Sequence, residues 1–204
     1  LLGAIADKRA VLPGDGINGL LASLPEPLQG AVDARLEAAR ADGWSRRLWH
    51  GDASLWTGGN EDDWLGWLHA GQSDQLDLDL LVAFAAEARG YKDAVLLGMG
   101  GSSLGAEVIG GVLGSADGFP RLHVLESSDP GQIATVTAAI DPARTLFIDS
   151  SKSGSTMEPE LLRAYFFDLV EQAVGKGKAG RQFVAVTDPG SDLEKVARAD
   201  GFGQ

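Results

Sequence analysis

The 204-residue sequence contains no cysteine, which excludes disulfide bonds and thiolate metal sites. It also lacks an apolar run of the roughly 18 residues that a membrane-spanning helix needs, and a secretory leader pattern. It contains 17 Lys and Arg residues and 29 Asp and Glu residues, which gives a formal net charge of -12. This negative charge argues against a nucleic-acid-binding surface. We therefore expect a cytoplasmic protein without nucleic-acid or membrane partners. A small phosphorylated ligand needs only a few donors and is compatible with this charge.

The first ninety residues are rich in tryptophan, and their pattern is helical. All five Trp fall between residues 44 and 67. Apolar residues at spacings of three and four predict one helix over Glu26–Ala41 and another over about 74–89. Asn60, followed by three acidic residues, is typical of a helix start with an amide cap. We predict a helical N-terminal segment over residues 1–90.

Short apolar runs alternate with helical patterns in residues 91–204. The four runs cover residues 94–97, 122–125, 145–148 and 183–186, and a turn and a helical pattern follow each of them. This alternation predicts an α/β fold with a parallel sheet sandwiched between helices. Right-handed crossovers would place the strand-to-helix loops along one edge, where such sheets bind ligands.

The loop after the first predicted strand, Gly98–Gly105, reads Gly-Met-Gly-Gly-Ser-Ser-Leu-Gly. Glycines let a ligand approach the backbone closely, and the N–H groups of the following helix favour an anion. Ser103 stands where a dinucleotide fingerprint needs its third glycine, and the Lys of a phosphate-binding Walker loop is missing. The alternative is a tight turn that simply needs small residues. Histidine and carboxylate spacings indicate no metal, and we expect no cofactor.

A second loop, residues 150–156, combines five hydroxyl groups with the ammonium group of Lys152. Pro159 suits the first turn of the helix that follows. Several donors and one charge at a helix start are what the oxygens of a phosphate require. The competing interpretation is a helix cap formed by Ser155 or Thr156. The role of Glu158 also has two interpretations. It is either a first-turn acid that stabilises the helix dipole or a contact to a sugar.

Together the two loops resemble those of the phosphoglucose isomerase family. Gly98–Gly105 is similar to the family's first signature, and Ser-Lys-Ser-Gly-Ser-Thr-Met-Glu at 151–158 is similar to its Ser-Lys-Thr-x-Thr-Thr-x-Glu loop. Ser153 and Ser155 stand where threonine is usual, and Gly154 replaces a larger residue. The resemblance covers about Tyr91–Phe202. It implies a sugar-isomerase (SIS) domain, a flavodoxin-like fold with a five-stranded parallel sheet.

The resemblance also implies a reaction and a set of binding residues. The reaction interconverts glucose 6-phosphate and fructose 6-phosphate by ring opening and proton transfer through a cis-enediolate. Glu158 matches a family acid near the sugar hydroxyls and is the candidate catalytic residue. The implied contacts to the phosphate and sugar come from Gly101, Ser102, Ser103, Ser151, Lys152, Ser153, Gly154, Ser155 and Thr156.

The family's glutamate base, ring-opening histidine, lysine and arginine lie downstream of the matched segment, and no residue here is assigned to those roles. Since the sequence also opens at Leu1, we expect a fragment of a larger isomerase. This fragment would be inactive alone and would join the remaining isomerase chain in a homodimer. Residues 44–68 resemble the segment before the isomerase in bacterial transaldolase fusions, so residues 1–9 are the expected end of a transaldolase module. The alternative is a self-standing SIS module that binds a phosphosugar without catalysis.

Overall fold

A computed structural model describes residues 25–71 and 77–203. The expected transaldolase remnant, residues 1–9, lies outside the described residues. The chain divides into two compact units, and the boundary along the sequence lies between Leu76 and Asp77. This division groups the last helix before the sheet with the second unit, whereas the sequence pattern suggested a boundary at residue 90.

Within residues 25–71, the first unit contains two α-helices and three short turns of 3₁₀-helix. Helix α1 spans Glu26–Ala41, with the limits that the sequence predicts, and α2 spans Trp44–Trp49. The chain turns between them at Gly43, whose φ of 63° favours glycine. The helix predicted after Asn60 is wrong: the segment forms 3₁₀ turns at 61–64 and 66–69, and the Asn60 side chain makes no cap hydrogen bond.

The second unit is a parallel α/β sheet, and it confirms the predicted fold class. Strands β1 (Asp93–Gly98), β2 (Arg121–Leu125), β3 (Thr145–Ser150) and β4 (Phe183–Val186) run in the order β2-β1-β3-β4, and every neighbouring pair is parallel. Five strands were expected, and the described residues contain four. The elements are α3 (Leu78–Ala88), β1 (Asp93–Gly98), α4 (Gly101–Leu113), β2 (Arg121–Leu125), α5 (Pro130–Ala139), β3 (Thr145–Ser150), α6 (Met157–Val174), β4 (Phe183–Val186) and α7 (Asp192–Ala199).

Helices cover both faces of this sheet. On one face, Phe84 of α3 packs on a small cluster that includes Leu146 of β3. On the other face, Phe147 of β3 lies between Phe166 of α6 and Phe183 of β4, with ring centroids 5.1 and 4.8 Å away. All three rings are fully buried. The aromatic cluster is thus the centre of the core. None of the helices among the described residues is long and apolar enough to cross a membrane.

The register of the sheet brings the two loops predicted to bind the ligand together at their starts. Gly98, the last residue of β1, pairs with Ser150, the last residue of β3. A Cβ atom at Gly98 would lie 3.2 Å from the carbonyl oxygen of Ser150 and 3.1 Å from that of Ser102. Glycine at this position therefore lets the two loops leave the sheet side by side.

The opposite edge of the sheet carries a buried carboxylate at the start of β1. Oδ1 of Asp93 lies 2.9 Å from both Arg121 Nε and His123 Nε2. Burial acts to raise the pKa of Asp93, but the hydrogen bonds from His123 and Arg121 outweigh it and hold this pKa below its usual value. The carboxylate therefore stabilises the fold above the unfolded-state pKa, and this contribution is lost as the pH falls through the lowered pKa.

We expect Asp93→Asn to lower the free energy of unfolding at pH 7 by about 1–3 kcal/mol, because it weakens two hydrogen bonds to a charged group. The difference from wild type should shrink as the pH is lowered from 7 to 3, because the unfolded chain takes up its proton at the ordinary pKa of 3.8. Urea denaturation at both pH values, followed by circular dichroism, measures this, because the sheet unit contains no tryptophan. A difference that is the same at the two pH values would contradict the role of the charge.

Candidate functional site

The backbone of the β3–α6 loop is tied to the β4–α7 loop. The Ser151 N–H donates to the Val186 carbonyl oxygen at 3.0 Å, and the Asp188 N–H donates to that of Lys152 at 3.2 Å. The Thr187 hydroxyl donates to the Ser151 carbonyl oxygen at 2.6 Å. These bonds hold the beginning of the hydroxyl-rich loop in one position above the end of the sheet.

The loop hydroxyls bond within the loop and leave the start of α6 uncapped. Ser151 Oγ accepts from the Gly154 N–H at 3.2 Å, and Ser153 Oγ accepts from the Ser155 N–H at 3.3 Å. Ser155 Oγ donates to Ser153 Oγ at 3.0 Å. Thr156 occupies the N-cap position, but its side chain makes no cap hydrogen bond. The interpretation of Ser155 or Thr156 as a cap is therefore wrong, and the positive end of α6 is open to another acceptor.

Gly154 is where this loop meets the start of α7. Its φ is 68°, and a Cβ atom there would lie 2.9 Å from the Leu193 Cβ and closer still to the Leu193 backbone nitrogen. Real Cβ atoms do not approach other atoms so closely. This packing leaves no room for a larger side chain at position 154.

Lys152 supplies the positive charge of the loop from an exposed position. Its Nζ lies 2.7 Å from Asp188 Oδ2, and both side chains are more than half exposed. Exposed ion pairs contribute only about 0–1 kcal/mol. The ammonium group can therefore leave Asp188 for a ligand at little cost.

The three predicted binding residues of the β1–α4 loop differ in their exposure to solvent. Gly101 is exposed at the first position of α4, and Ser102 is half-buried. Ser103 is fully buried, with its hydroxyl 3.1 Å from Glu126 Oε2 and 3.2 Å from the Gly100 carbonyl oxygen. Ser103 thus holds the loop to the end of β2, whereas Gly101 and Ser102 are more accessible to solvent.

A cleft of about 220 Å³ opens beside the second loop, between α6 and α7. Of the predicted residues, it is lined by Ser151, Gly154, Ser155 and Thr156; its charged lining comes from Asp149, Glu160, Arg163 and Asp192. Gly101, Ser102, Ser103, Lys152 and Ser153 do not line it. The structure therefore brings four of the nine predicted binding residues together around a cleft and leaves five outside its lining.

Asp149 and Arg163 form an ion pair inside this cleft. Arg163 Nε lies 3.2 Å from Asp149 Oδ2, and the Arg163 and Asp149 side chains are only 14% and 2% exposed. Burial raises the pKa of Asp149 to about 7, although the Arg163 guanidinium acts in the opposite direction. Asp149 Oδ1 is buried and has no hydrogen-bond partner. The pair leaves Asp149 Oδ1 unsatisfied next to the hydroxyl-rich loop.

Glu158, the candidate catalytic residue, is exposed in the first turn of α6. It does not line the cleft, and Glu160 lies there instead. A position in the first turn of α6 is compatible with both roles of Glu158, stabilisation of the helix dipole and contact to a sugar. Within the described part of the chain, no cluster of three His, Cys, Asp or Glu side chains is arranged to hold a metal ion.

Sequence reasoning missed Asp149, Arg163 and Thr187. The apolar run of the third strand ended at Ile148, but the strand continues through Asp149. Arg163 is one of several charged residues in α6 and did not stand out among them. A charged residue directly after the apolar run of a buried strand was a usable signal for Asp149. The position of Arg163 depends on α7, which the helical period of α6 alone does not reveal.

The fold and these loops define a doubly wound α/β domain whose functional loops leave the carboxyl edge of a parallel sheet. The family model described as phosphoglucose isomerase matches residues 85–199, more than half of the chain. The chain belongs to the phosphoglucose isomerase family.

Several curated relatives are similar over the same part of the chain. Glucose-6-phosphate isomerase of Trichormus variabilis is 33% identical over 121 residues, and that of Xanthobacter autotrophicus is 36% identical over 113 residues. These alignments cover 57% and 54% of this chain. They cover only 22% and 20% of the relatives, so the chain spans about a fifth of their length.

Two solved structures share the fold. A glucose-6-phosphate isomerase from Chlamydia trachomatis matches with a TM-score of 0.53 and 31% identity, over 58% of this chain and 23% of that one. A hypothetical protein from Thermus thermophilus matches with a TM-score of 0.59 over 82% of this chain and 41% of that one. At 24% identity, the second match concerns the fold alone.

Proposed function

We propose that this chain binds the phosphate of a hexose 6-phosphate at the Ser151–Thr156 loop, as part of a glucose-6-phosphate isomerase. The observation that carries the proposal is the uncapped start of α6, surrounded by hydroxyl groups. An N-terminus in this state presents N–H donors and a partial positive charge to an oxyanion. Lys152 adds a full charge once it leaves Asp188.

The neighbouring loop completes the proposed phosphosugar site. Gly101 and Ser102 lie on the loop that starts beside Ser150 and would contact the ligand from the opposite side. Glu158, exposed in the first turn of α6, would face the sugar hydroxyls. No metal or cofactor enters this proposal. Ring opening and proton transfer require the family's downstream residues, so we propose that the chain alone is inactive.

The proposed partners follow from the same function. Helix α4 exposes several large apolar side chains, namely Leu104, Val108, Ile109, Val112 and Leu113. An apolar helix face of this extent favours burial against another surface. Together with coverage of a fifth of the curated relatives, it supports packing against the remainder of an isomerase chain. A homodimer, a preceding transaldolase module and a cytoplasmic location complete the proposal.

Thr156→Ala is the sharpest test of the site, because the Thr156 hydroxyl does not cap α6 and its loss leaves the helix unchanged. We expect calorimetric titration at low salt to show fructose 6-phosphate binding to wild type, with about tenfold or greater weakening in the variant. Ser151→Ala should weaken binding as well. Thermal unfolding should show the same midpoint for Thr156→Ala and wild type.

Ser115→Ala is the matched control, since Ser115 is exposed between α4 and β2, away from both loops. Its affinity for fructose 6-phosphate should equal that of wild type. Unchanged affinity in both Thr156→Ala and Ser151→Ala, with clear wild-type binding, would place the ligand elsewhere. Absence of binding to the wild-type chain would overturn the proposed function.

A further inference from the structure

Arg163 is the residue of the cleft whose charge the proposed phosphate contacts do not use. Its guanidinium has five N–H donors in a planar fork. Its ion pairs within the described part of the chain are to Asp149, at 3.2 Å, and to Asp200, at 4.0 Å. Neither contact has the geometry of a full hydrogen bond. The donors are therefore held near two carboxylates without being satisfied by them.

The Asp149 carboxylate, which is paired with Arg163, also lacks a hydrogen-bond partner at one of its oxygens. The Asp149 side chain is only 2% exposed, and its Oδ1 has no hydrogen-bond partner. Leaving buried charged groups without hydrogen bonds is costly, and a folded chain normally satisfies them. Asp149 and Arg163 line one cleft, and three hydroxyl-bearing residues, Ser151, Ser155 and Thr156, line it with them. A ligand that accepts hydrogen bonds from the fork would satisfy the guanidinium.

An oxyanion has the chemistry that fits this arrangement. Arginine binds carboxylate and phosphate oxygens through two parallel N–H bonds, a geometry that lysine does not offer. The hydroxyl groups of the loop are donors to the same oxygens. Lys152, in contrast, is exposed and is paired with Asp188 on the outer side.

We propose that Arg163 is a further phosphate-binding residue of this site, with Asp149 as the residue that holds it in position. This inference rests on the proposed function, because the phosphate it concerns is the one bound by the Ser151–Thr156 loop. Arg163 gives the cleft a buried positive charge that supplements the exposed one of Lys152.

The charges around Asp149 give this contact a dependence on pH. Arg163 and Glu160 face the cleft from α6, Asp192 faces it from α7, and Asp200 follows α7. Asp192 is itself paired with Lys195 at 2.8 Å. The cleft therefore contains more carboxylates than cations, and an anion is admitted most easily when one carboxyl is neutral. Asp149, with its pKa raised to about 7, is the carboxyl that takes up a proton from solvent near neutral pH.

Titration of fructose 6-phosphate into the 204-residue chain tests the contact. We expect Arg163→Met to weaken binding at least tenfold, and Arg163→Lys to recover part of the affinity by restoring the charge without the fork. Asp149→Asn, which is neutral at every pH, serves as the reference for the pH arm. The wild-type affinity divided by that of Asp149→Asn should fall several-fold between pH 6 and pH 8, and the ionisation of the ligand cancels from this ratio.

Proton uptake gives a readout that a purely structural role would not move. Titrations at pH 7 in buffers of different ionisation enthalpy should show a fraction of a proton taken up as the ligand binds wild type, and a smaller uptake for Asp149→Asn. If Arg163→Met alone fails to fold, Asp149→Leu/Arg163→Met removes both buried charges together. This double variant should fold and bind at least tenfold more weakly than wild type.

The outcomes separate the inference from the function on which it rests. Wild-type affinity in Arg163→Met or in the double variant, with weakened binding in Thr156→Ala, overturns the role of Arg163 and leaves the proposed function in place. An affinity ratio independent of pH overturns the role of Asp149. Absence of binding to wild type overturns both the proposed function and the inference.

Discussion

Gly154→Ala is expected to destabilise the sheet unit by about 3 kcal/mol or more and to abolish detectable binding of fructose 6-phosphate. Two costs add. A Cβ atom would overlap the backbone nitrogen and Cβ of Leu193, and alanine at a φ of 68° costs roughly 1–2 kcal/mol. Relief of the contact would move the loop away from α7, and the hydroxyl groups of Ser151 and Thr156 would move with it. Urea denaturation and calorimetric titration measure the two effects.

Gly118→Ala separates the two costs. Gly118 has a φ of 79°, but a Cβ atom there would meet nothing within 4 Å. This control should show only the conformational cost of roughly 1–2 kcal/mol, with unchanged affinity for the ligand. Equal losses of stability in the two variants would mean that the loop does not pack against α7 as described.

The second large effect is expected for Phe147→Ala, in the centre of the core. Phe147 is fully buried, and its ring packs against those of Phe166 and Phe183. Removing a buried phenylalanine ring costs about 3–5 kcal/mol, because apolar contacts are lost and a cavity remains. That is a large part of the roughly 5–15 kcal/mol that typically stabilises a domain. Chemical denaturation followed by circular dichroism at pH 7 gives the value.

Val112→Ala is the comparison for this variant, since Val112 is 77% exposed on α4. Its free energy of unfolding should lie within about 0.5 kcal/mol of wild type. A loss below about 1 kcal/mol for Phe147→Ala would contradict the aromatic cluster as the centre of the core.

The sequence was sufficient for the fold because its local signals agree with one another. Helix α1 has its predicted limits, where Pro25 precedes the helix and Gly43 turns the chain away after it. Strands β1, β2 and β3 are longer than their apolar runs, since ladder pairing continues into polar residues such as Asp93 and Asp149, whereas β4 matches its run. The prediction of an α-helix after Asn60 was wrong, because acidic residues and a potential cap favour a helix start but do not supply enough length for an α-helix.

Much less of the candidate site could be predicted. The Ser151–Thr156 loop was identified because hydroxyl groups, a lysine and a following helix are adjacent in the sequence. The pairing of Asp149 with Arg163 was not, because it forms only when α6 packs on β3 and α7 closes over both. The fit of Gly154 against Leu193 is equally tertiary, since the sequence alone does not show which backbone a glycine will face.

The ties between the β3–α6 and β4–α7 loops have a consequence for the thermodynamics of recognition. Because the bonds made by Ser151, Thr187 and Asp188 lie wholly within the protein, they restrict the conformational entropy of the loop independently of any ligand contact. A binding loop prepared in this way spends little of its interaction energy on its own ordering. Phosphate binding here would therefore use a preorganised loop and require little rearrangement of its backbone.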